Sequence, residues 1–200
     1  MNFPATAPVE EAWNVDSERS DWDLVRESRR GDPEAFRELF DRYHRQVLGL
    51  AVGMMGNADD AQDVVQETFI RAHRNLAGFL GESSFYTWLY RIAINVAIDA
   101  RRRQARRAEV TQIEPAEDEV ADHATGRDPS AAFAHKEIGA RIFQGIAELT
   151  PEHKAAIILR EIEGLSYEEI SKVMRVSKGT VMSRLHYARK KLQAKLKDLL

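Results

Sequence analysis

Aromatic and arginine side chains are concentrated in residues 79–107. Five aromatic residues fall within the first twelve positions of this stretch, and five arginines fall within its last seven. Aromatic rings stack on unpaired bases with about 1 to 3 kcal/mol each, and guanidinium groups follow a phosphate backbone. The combination predicts a surface for single-stranded nucleic acid, which a protein that reads only duplex would not need.

The loop around Gly81 and a helix that we expect to begin near Thr87 would form this surface. The helix should bury an apolar stripe through Trp88 and Val96 and turn a second stripe outward. On that second stripe, Asn95 could hydrogen-bond the edge of an extruded base. We expect the rings of Phe79, Phe85 and Tyr86, which precede this helix, to be exposed in the loop. The candidate strand contacts are Phe79, Ser83, Ser84, Phe85, Tyr86, Arg91, Asn95 and Arg102.

A second candidate surface occupies residues 165–192, "LSYEEISKVMRVSKGTVMSRLHYARKKL". Ser166 and Glu169 form a capping box, and Ser177 caps another helix about one turn after the first should end. This spacing is typical of a helix-turn-helix, whose second helix fits a DNA major groove. The alternative is a helical hairpin whose lysines only face water, but capping, spacing and charge all favour DNA. The outward candidates are Lys178, Thr180, Ser183, Arg184, His186, Tyr187 and Lys190.

The turn between these two helices contains an unusual residue. Arg175 stands where such turns often place glycine. If the backbone at this position is left-handed, a residue other than glycine destabilises the folded chain by roughly 1 kcal/mol. The alternative is a turn of another geometry.

Four acidic residues with no basic residue among them lie at helical spacing further upstream: Asp59, Asp60, Asp63 and Glu67. Three of them, separated by four positions each, would share one helix face and could dock a basic partner. Chelation of a cation is the weaker interpretation. Acids near a helix N-terminus are also favoured by the helix dipole alone, which is a purely structural explanation for the first two.

The net charge of −3 conceals two basic segments. Residues 71–107 contain eight arginines against two acids, and residues 172–197 contain nine lysines and arginines and no acid. Segregated positive charge of this kind indicates an anionic partner, and nucleic acid is the first candidate. For a single basic run, the ordinary explanation is a solvated helix face.

Composition limits the class of protein further. With 44% hydrophobic residues, the chain can form buried hydrophobic cores. The absence of cysteine excludes disulfides and is typical of a reducing compartment, so we expect a cytoplasmic location. No apolar run approaches the roughly 20 residues that cross a bilayer, and no secretory signal begins the chain. The histidines are scattered, and no phosphate loop or nucleophile elbow occurs. We therefore expect no catalysis, no cofactor, no metal and no membrane insertion.

The elements that must position these residues are all helices, so the predicted fold class is all-α. Helical spacing and caps predict a short helix near residues 24–30, a long one from Asp32 and Pro33 to Gly56, and a third from Asn57 to about residue 76. Three more helices follow an acidic stretch without periodicity, and Thr150 with Pro151 caps the second of them, which should end at Gly164. We predict a tail over residues 1–20, a helical domain over 21–107, an extended acidic linker over 108–134, and a second helical domain with the helix-turn-helix over 135–200.

Two blocks of the sequence resemble the extracytoplasmic-function group of the sigma-70 family of bacterial RNA polymerase initiation factors. The first contains "FLGESSF" and "TWLYRIAIN" within residues 22–107, and the second is the helix-turn-helix stretch within residues 135–197. The resemblance implies that the first domain binds the clamp helices of the largest core polymerase subunit and captures the non-template strand of the −10 element. It implies that the second domain reads the −35 element as duplex.

The resemblance also implies individual roles. The acidic helix matches the polymerase-docking segment, Asn95 matches the position that receives a flipped base, and the linker matches one that enters the polymerase cleft. Ser183, His186 and Tyr187 match the −35 contacts. Such factors are commonly held by an anti-sigma protein, which is a further expected partner.

Two rival functions come from the residues alone. A stand-alone helix-turn-helix regulator would bind duplex DNA tightly without polymerase, whereas an RNA-binding adaptor would use the aromatic and arginine stretch and leave the helix-turn-helix unexplained.

Overall fold

The computed structural model describes residues 19–111, 141–142 and 144–197. Within these ranges every regular element is helical and no strand occurs, which confirms the predicted all-α fold. Apart from residues 19–20 and 108–111, the predicted tail and linker lie outside the described residues. Residues 108–111, expected in the linker, form the last turn of a helix.

Four helices form the first helical unit, which comprises residues 19–111. A single 3-10 turn, Leu76–Gly78, follows the third helix. The helices are α1 (Asp21–Arg29), α2 (Pro33–Met55), α3 (Ala58–Asn75) and α4 (Phe85–Thr111).

Short-range signals set the bounds of α2 and α3. The Asp32 side chain accepts a hydrogen bond from the Glu34 amide, and Pro33 occupies the first turn, where its missing amide costs nothing. Gly56 ends α2 in a left-handed conformation with φ of 88°, and Asn57 then caps α3. The predicted boundaries of both helices are confirmed.

The core of the first unit consists of apolar side chains from all four helices. Burying each large aliphatic side chain contributes about 1.5 to 3 kcal/mol. Polar contacts add to this packing, since Arg42 and Tyr43 of α2 both donate to Asp21 of α1. Fully buried members of the core include Leu24, Leu39, Leu50, Met54, Leu89, Tyr90 and Ile94.

Three helices and a short helical segment over residues 144–147 form the second helical unit, residues 144–197. They are α5 (Pro151–Ile157), α6 (Tyr167–Met174) and α7 (Lys178–Leu196). Thr150 caps α5 as predicted. Where the sequence indicated one uninterrupted helix to Gly164, α5 instead passes into a π-helical turn, Ile158–Ile162.

The two units pack directly on each other. Helix α4 contacts α5 and α6, and α2 contacts the π-helical turn. Buried residues of both units therefore belong to one hydrophobic core. The sequence predicted two units joined by a tether, and nothing in its periodicity indicated this contact.

Candidate nucleic-acid interface

The loop between α3 and α4 is organised by an aromatic cluster. Phe79 is 4% exposed and Phe85 is 2% exposed, with their ring centroids 5.8 Å apart. Trp88 joins them at 5.3 Å from Phe79 and 5.6 Å from Phe85. The prediction that these two phenylalanines are exposed is therefore wrong, and their rings hold the loop against α4.

The early start of α4 explains this difference. The helix begins at Phe85 rather than near Thr87, because the Ser84 hydroxyl accepts a hydrogen bond from the Thr87 amide at 3.1 Å and acts as the cap. Phe85 consequently shares the inward face with Leu89, four positions later. The same spacing was present in the sequence and could have identified Phe85 as core.

Other members of the loop remain accessible. Ser84 is exposed, whereas Ser83 is half-buried. Tyr86 is also half-buried, with its ring 4.1 Å from that of Tyr90. Leu80 is 71% exposed at the tip. The loop and the first turn of α4 thus present hydroxyls, one partly covered phenol and an apolar tip.

Helix α1 contributes a residue that sequence reasoning missed. Trp22 is 47% exposed and lies beneath the loop, where a Cβ added to Gly81 would come within 2.9 Å of its ring. Gly81 also has a φ of 76°, which favours glycine. Since Trp22 is distant from the loop in sequence, no periodicity in either segment predicts their contact.

The outward stripe of α4 carries the three polar residues that its periodicity placed there: Arg91, Asn95 and Arg102. Asn95 and Arg102 are exposed, and Arg91 is half-buried. The Arg91 Nε atom is buried and has no hydrogen-bond acceptor among the described residues. Burial and the neighbouring Arg175 lower the pKa of Arg91. Two guanidinium groups and one amide form this stripe, and exposed Asp99 lies one turn beyond Asn95 on the same side of the helix.

The four acids of α3 divide into two kinds. Asp59 and Asp63 are exposed. Asp60 instead accepts hydrogen bonds from Asn57 and Gln104, each at 2.6 Å, so it joins the start of α3 to α4. Glu67 pairs with Arg71 at 2.6 Å. The face available to a basic partner is therefore smaller than the sequence suggested.

The described residues contain no candidate metal site and no membrane-spanning helix. Across the described ranges, no three histidine, cysteine, aspartate or glutamate side chains are arranged to hold a metal ion. No helix in that same part of the chain is long and apolar enough to cross a bilayer.

The second unit contains the predicted helix-turn-helix. Ser166 and Glu169 form a reciprocal capping box at the start of α6, and the Ser177 hydroxyl accepts from the Thr180 amide at 3.1 Å at the start of α7. Arg175 adopts the left-handed conformation, with φ of 53° and ψ of 47°. The turn therefore has the geometry that favours glycine, and the alternative geometry is wrong.

Helix α7 packs one face on the unit and turns the other outward. Val181, Leu185 and Ala188 are buried. The predicted contacts lie on the remaining surface: Ser183, His186, Tyr187, Lys190 and Lys178 are exposed, and Thr180 and Arg184 are half-buried. Lys178 pairs with Glu168 of α6. The exposed basic and hydroxyl groups form a continuous surface that can meet phosphates and base edges.

A second residue missed in the sequence supports this surface. His153 of α5 places its ring 4.5 Å from that of Tyr187. Burial, reinforced by Arg184, lowers the pKa of His153, which favours the neutral ring. A neutral ring stacked on Tyr187 restricts the orientation of the phenol. No motif predicted this pair, because the two residues lie on different helices.

Comparison with known proteins identifies two matching regions. The model of sigma-70 region 2 matches residues 39–107, and that of sigma-70 region 4 matches residues 140–192. The first match covers most of the first unit, including the aromatic loop and most of α4. The second covers the helix-turn-helix.

Similar proteins match over nearly the whole chain. The RNA polymerase sigma-H factor of Pseudomonas aeruginosa is 44% identical, with 92% of this chain and 97% of that protein covered. The ECF RNA polymerase sigma-E factor of Haemophilus influenzae is 41% identical, with 90% and 97% covered. That of Escherichia coli is 38% identical, with 88% and 94% covered.

Solved structures agree with the fold. The structure of CnrH in complex with the cytosolic domain of CnrY has a TM-score of 0.64 at 27% identity, covering 90% of this chain and 99% of that one. Sigma factor RpoE of Bartonella quintana, solved with the anti-sigma factor NepR, shares the fold at a TM-score of 0.60 and 24% identity, covering 81% and 96%. Together, the two region models in this order and the relatives matched almost end to end show that the chain belongs to the extracytoplasmic-function group of the sigma-70 family.

Proposed function

We propose that the protein is a sigma factor that joins core RNA polymerase, directs it to promoters and initiates transcription. The observation that carries this proposal is the presence, in one chain, of a helix-turn-helix with a basic outer face and a separate helix with a cationic stripe beside a serine-rich loop. Duplex reading explains the first surface, and an unpaired strand explains the second.

The −10 strand would be held by the loop and the outer stripe of α4. Asn95 would hydrogen-bond a flipped base, while Arg91 and Arg102 would meet phosphates. Ser83, Ser84 and Tyr86 would line the path of the strand. Because Phe79 and Phe85 are buried, we assign them to holding the loop rather than to stacking on bases.

The −35 element would be read by α7. Ser183, His186 and Tyr187 occupy the part of the helix that enters the groove, and Lys190 lies further along, where the backbone passes. Thr180, Arg184 and Lys178 flank this surface. Each bidentate base contact in such an interface discriminates by about 1 to 3 kcal/mol.

Core polymerase would dock on the acidic face of α3. Exposed Asp59 and Asp63 are available to a basic surface, whereas Asp60 is already engaged within the unit. We place the partner surface on the clamp helices of the largest polymerase subunit, as the family resemblance implies. The protein itself would act as a non-enzymatic factor in the cytoplasm, where polymerase acts.

An anti-sigma protein is a further proposed partner. The solved relatives CnrH and RpoE were obtained in complexes with the CnrY cytosolic domain and with NepR, respectively. The proposed domains follow the sequence: a tail over 1–20, a polymerase and −10 domain over 21–107, a linker over 108–134 whose first four residues continue α4, and a −35 domain over 135–200.

A gel-shift experiment tests the proposed function. Promoter DNA is mixed with the chain alone, with core polymerase alone and with both, and run-off transcription is measured on the same template. We expect a specific shift and a transcript only when both proteins are present. Specific tight binding of duplex by the chain alone would favour a stand-alone regulator, and preference for single-stranded RNA would favour an RNA-binding adaptor.

A matched pair of variants sharpens this test. Asn95→Ala should reduce promoter opening while leaving duplex binding by α7 unchanged, because Asn95 lies only on the strand surface. Asp99→Ala removes an exposed carboxylate one turn further along the same side of the helix and should not reduce promoter opening, because it removes negative charge that would repel the strand. Equal loss in both variants would contradict the assignment of Asn95.

A further inference from the structure

The three residues of α7 that we place in the groove differ in what fixes their side chains. The Ser183 hydroxyl donates to the Thr180 carbonyl of its own helix at 3.0 Å. The His186 side chain makes no hydrogen bond, ion pair or ring contact with the rest of the described chain. Tyr187 instead packs on another helix, since the His153 ring of α5 lies 4.5 Å from its own ring at a tilt of 31°. Within the described ranges, Tyr187 is therefore the one of the three that is fixed from outside α7.

The His153 ring is itself fixed at the start of α5. Thr150 caps this helix, and its hydroxyl accepts a hydrogen bond from the His153 amide at 3.5 Å. The same hydroxyl lies 2.6 Å from the Nδ1 atom of the ring, which is hydrogen-bonding distance. One oxygen atom thus contacts both the backbone and the ring of His153, and this limits rotation of the ring. Because α5 packs directly on α7, the ring also has a fixed position relative to Tyr187.

Charged groups around His153 favour its neutral form. Burial is the largest effect that lowers the pKa of His153, and Arg184 and Lys191 of α7 act in the same direction. Glu152 of α5 opposes them. A neutral imidazole meets the Tyr187 ring by packing rather than by charge. We therefore expect His153 to affect the orientation of the phenol and to add nothing to the attraction of α7 for phosphates.

A fixed orientation matters because Tyr187 is only partly covered. Its side chain is 51% exposed, so one part packs on the unit and the rest is available to a base pair. Ordering a rotatable side chain on binding weakens an interface by about two- to tenfold, and a side chain that is ordered beforehand avoids this loss. A fixed phenol also cannot rotate to meet a different base pair, so it discriminates between sequences as well as binding them.

We propose that His153 is a positioning residue for −35 recognition, which fixes the Tyr187 ring in one orientation and thereby sets the base-pair preference of that part of α7. This inference rests on the proposed function, because it states how the −35 surface becomes selective. His153 contacts no base and acts through Tyr187. Its replacement should change which base pairs are preferred and leave the number of phosphate contacts unchanged.

Selection from a promoter library measures this preference. The library is built on a promoter that the holoenzyme transcribes, with the −35 region randomised, and sequences bound by the holoenzyme are counted. Tyr187→Ala should abolish the preference at the base pairs that Tyr187 meets. His153→Ala should reduce the preference at the same base pairs by about two- to tenfold and should add nothing in the Tyr187→Ala background. His153→Phe restores an aromatic ring and should retain the preference.

His186→Ala is the matched control. It removes an exposed side chain next to Tyr187 that α5 does not contact, so its effect and that of His153→Ala should add. Circular dichroism checks that each variant is folded, and the salt dependence of duplex binding should be the same for His153→Ala and the native chain. An unchanged preference in His153→Ala, a loss spread evenly over the −35 region, or equal losses in His153→Ala and His153→Phe would each overturn the proposal.

A measurement on the free chain separates this proposal from the proposed function. The chain has five tyrosines, so isotope-labelled tyrosine gives few ring signals in nuclear magnetic resonance spectra, and Tyr187→Phe identifies one of them. We expect the Tyr187 signal to shift in His153→Ala, because the neighbouring ring is lost, and to stay in place in His186→Ala. An unmoved signal together with normal transcription would overturn only the role of His153. Absence of transcription from every promoter would overturn the proposed function, and the −35 role of His153 with it, even if the signal shifts.

Discussion

Replacing Arg175 by glycine should stabilise the second helical unit. Arg175 has a φ of 53°, and a left-handed residue with a side chain costs roughly 1 to 2 kcal/mol. Glycine would remove this cost but would lose about 0.4 to 1 kcal/mol through the greater freedom of the unfolded chain. The difference between these two free energies is an expected net gain of about 0 to 1.6 kcal/mol, or a rise in Tm of up to about 6 °C for a chain of this size.

Urea and thermal unfolding of the full chain, followed by far-ultraviolet circular dichroism, measure this gain. The control is Arg175→Ala, which keeps the Cβ and its backbone cost but removes the charge near Arg91. We expect the alanine variant to gain less than the glycine variant. If the two gain equally, charge repulsion rather than backbone conformation is the reason, and if glycine destabilises, the cost assigned to the turn is wrong.

Three further predictions follow from the described contacts. Because burial raises the pKa of Glu163 despite its hydrogen bond from Tyr90, the folded chain takes up a proton more readily than the unfolded one. Its stability should therefore fall as pH rises from the ordinary carboxyl range through the raised folded value, and Glu163→Gln should remove this part of the pH slope in urea titrations. Ser166→Ala removes the capping box of α6 and should lower the free energy of unfolding by about 1 kcal/mol. The same variant should weaken −35 duplex binding measured with holoenzyme. Unchanged stability would contradict the role of the cap. Asp59→Ala with Asp63→Ala should weaken association with core polymerase in a pull-down titration and lower Tm only slightly, through the loss of the favourable position of Asp59 in the first turn of α3. Asp60→Ala should lower Tm more, since Asp60 accepts hydrogen bonds from both Asn57 and Gln104. The opposite pattern would contradict the docking face.

Elements with local signals could be predicted from the sequence. Asp32, Gly56, Asn57 and Ser177 act at helix ends through hydrogen bonds or backbone conformations that involve only neighbouring residues, so their effects can be read from residue type and spacing. The outward positions of Asn95 and Tyr187 followed from helical periodicity for the same reason.

Features that depend on contacts between distant segments could not be predicted in this way. Phe79 is buried because Phe85 and Trp88 receive its ring, and Trp22 reaches the loop from another helix. The packing of α4 on the second unit depends on Tyr90 meeting Glu163, 73 positions later in the chain. Neither Tyr90 nor Glu163 lies in a local sequence pattern that predicts its contact with the other.

A methyl group added at Gly53 would have opposite effects on helix α2 and on the contact between the two helical units. Alanine is favoured over glycine inside a helix by about 0.8 to 1 kcal/mol, so a methyl group there would strengthen α2. The same methyl would come within 3.1 Å of the Ile158 Cδ1 atom, so the Ile158 side chain would have to shift by a few tenths of an ångström in the contact between the units. Substitutions at this position would therefore strengthen one helix while loosening the contact between the two helical units.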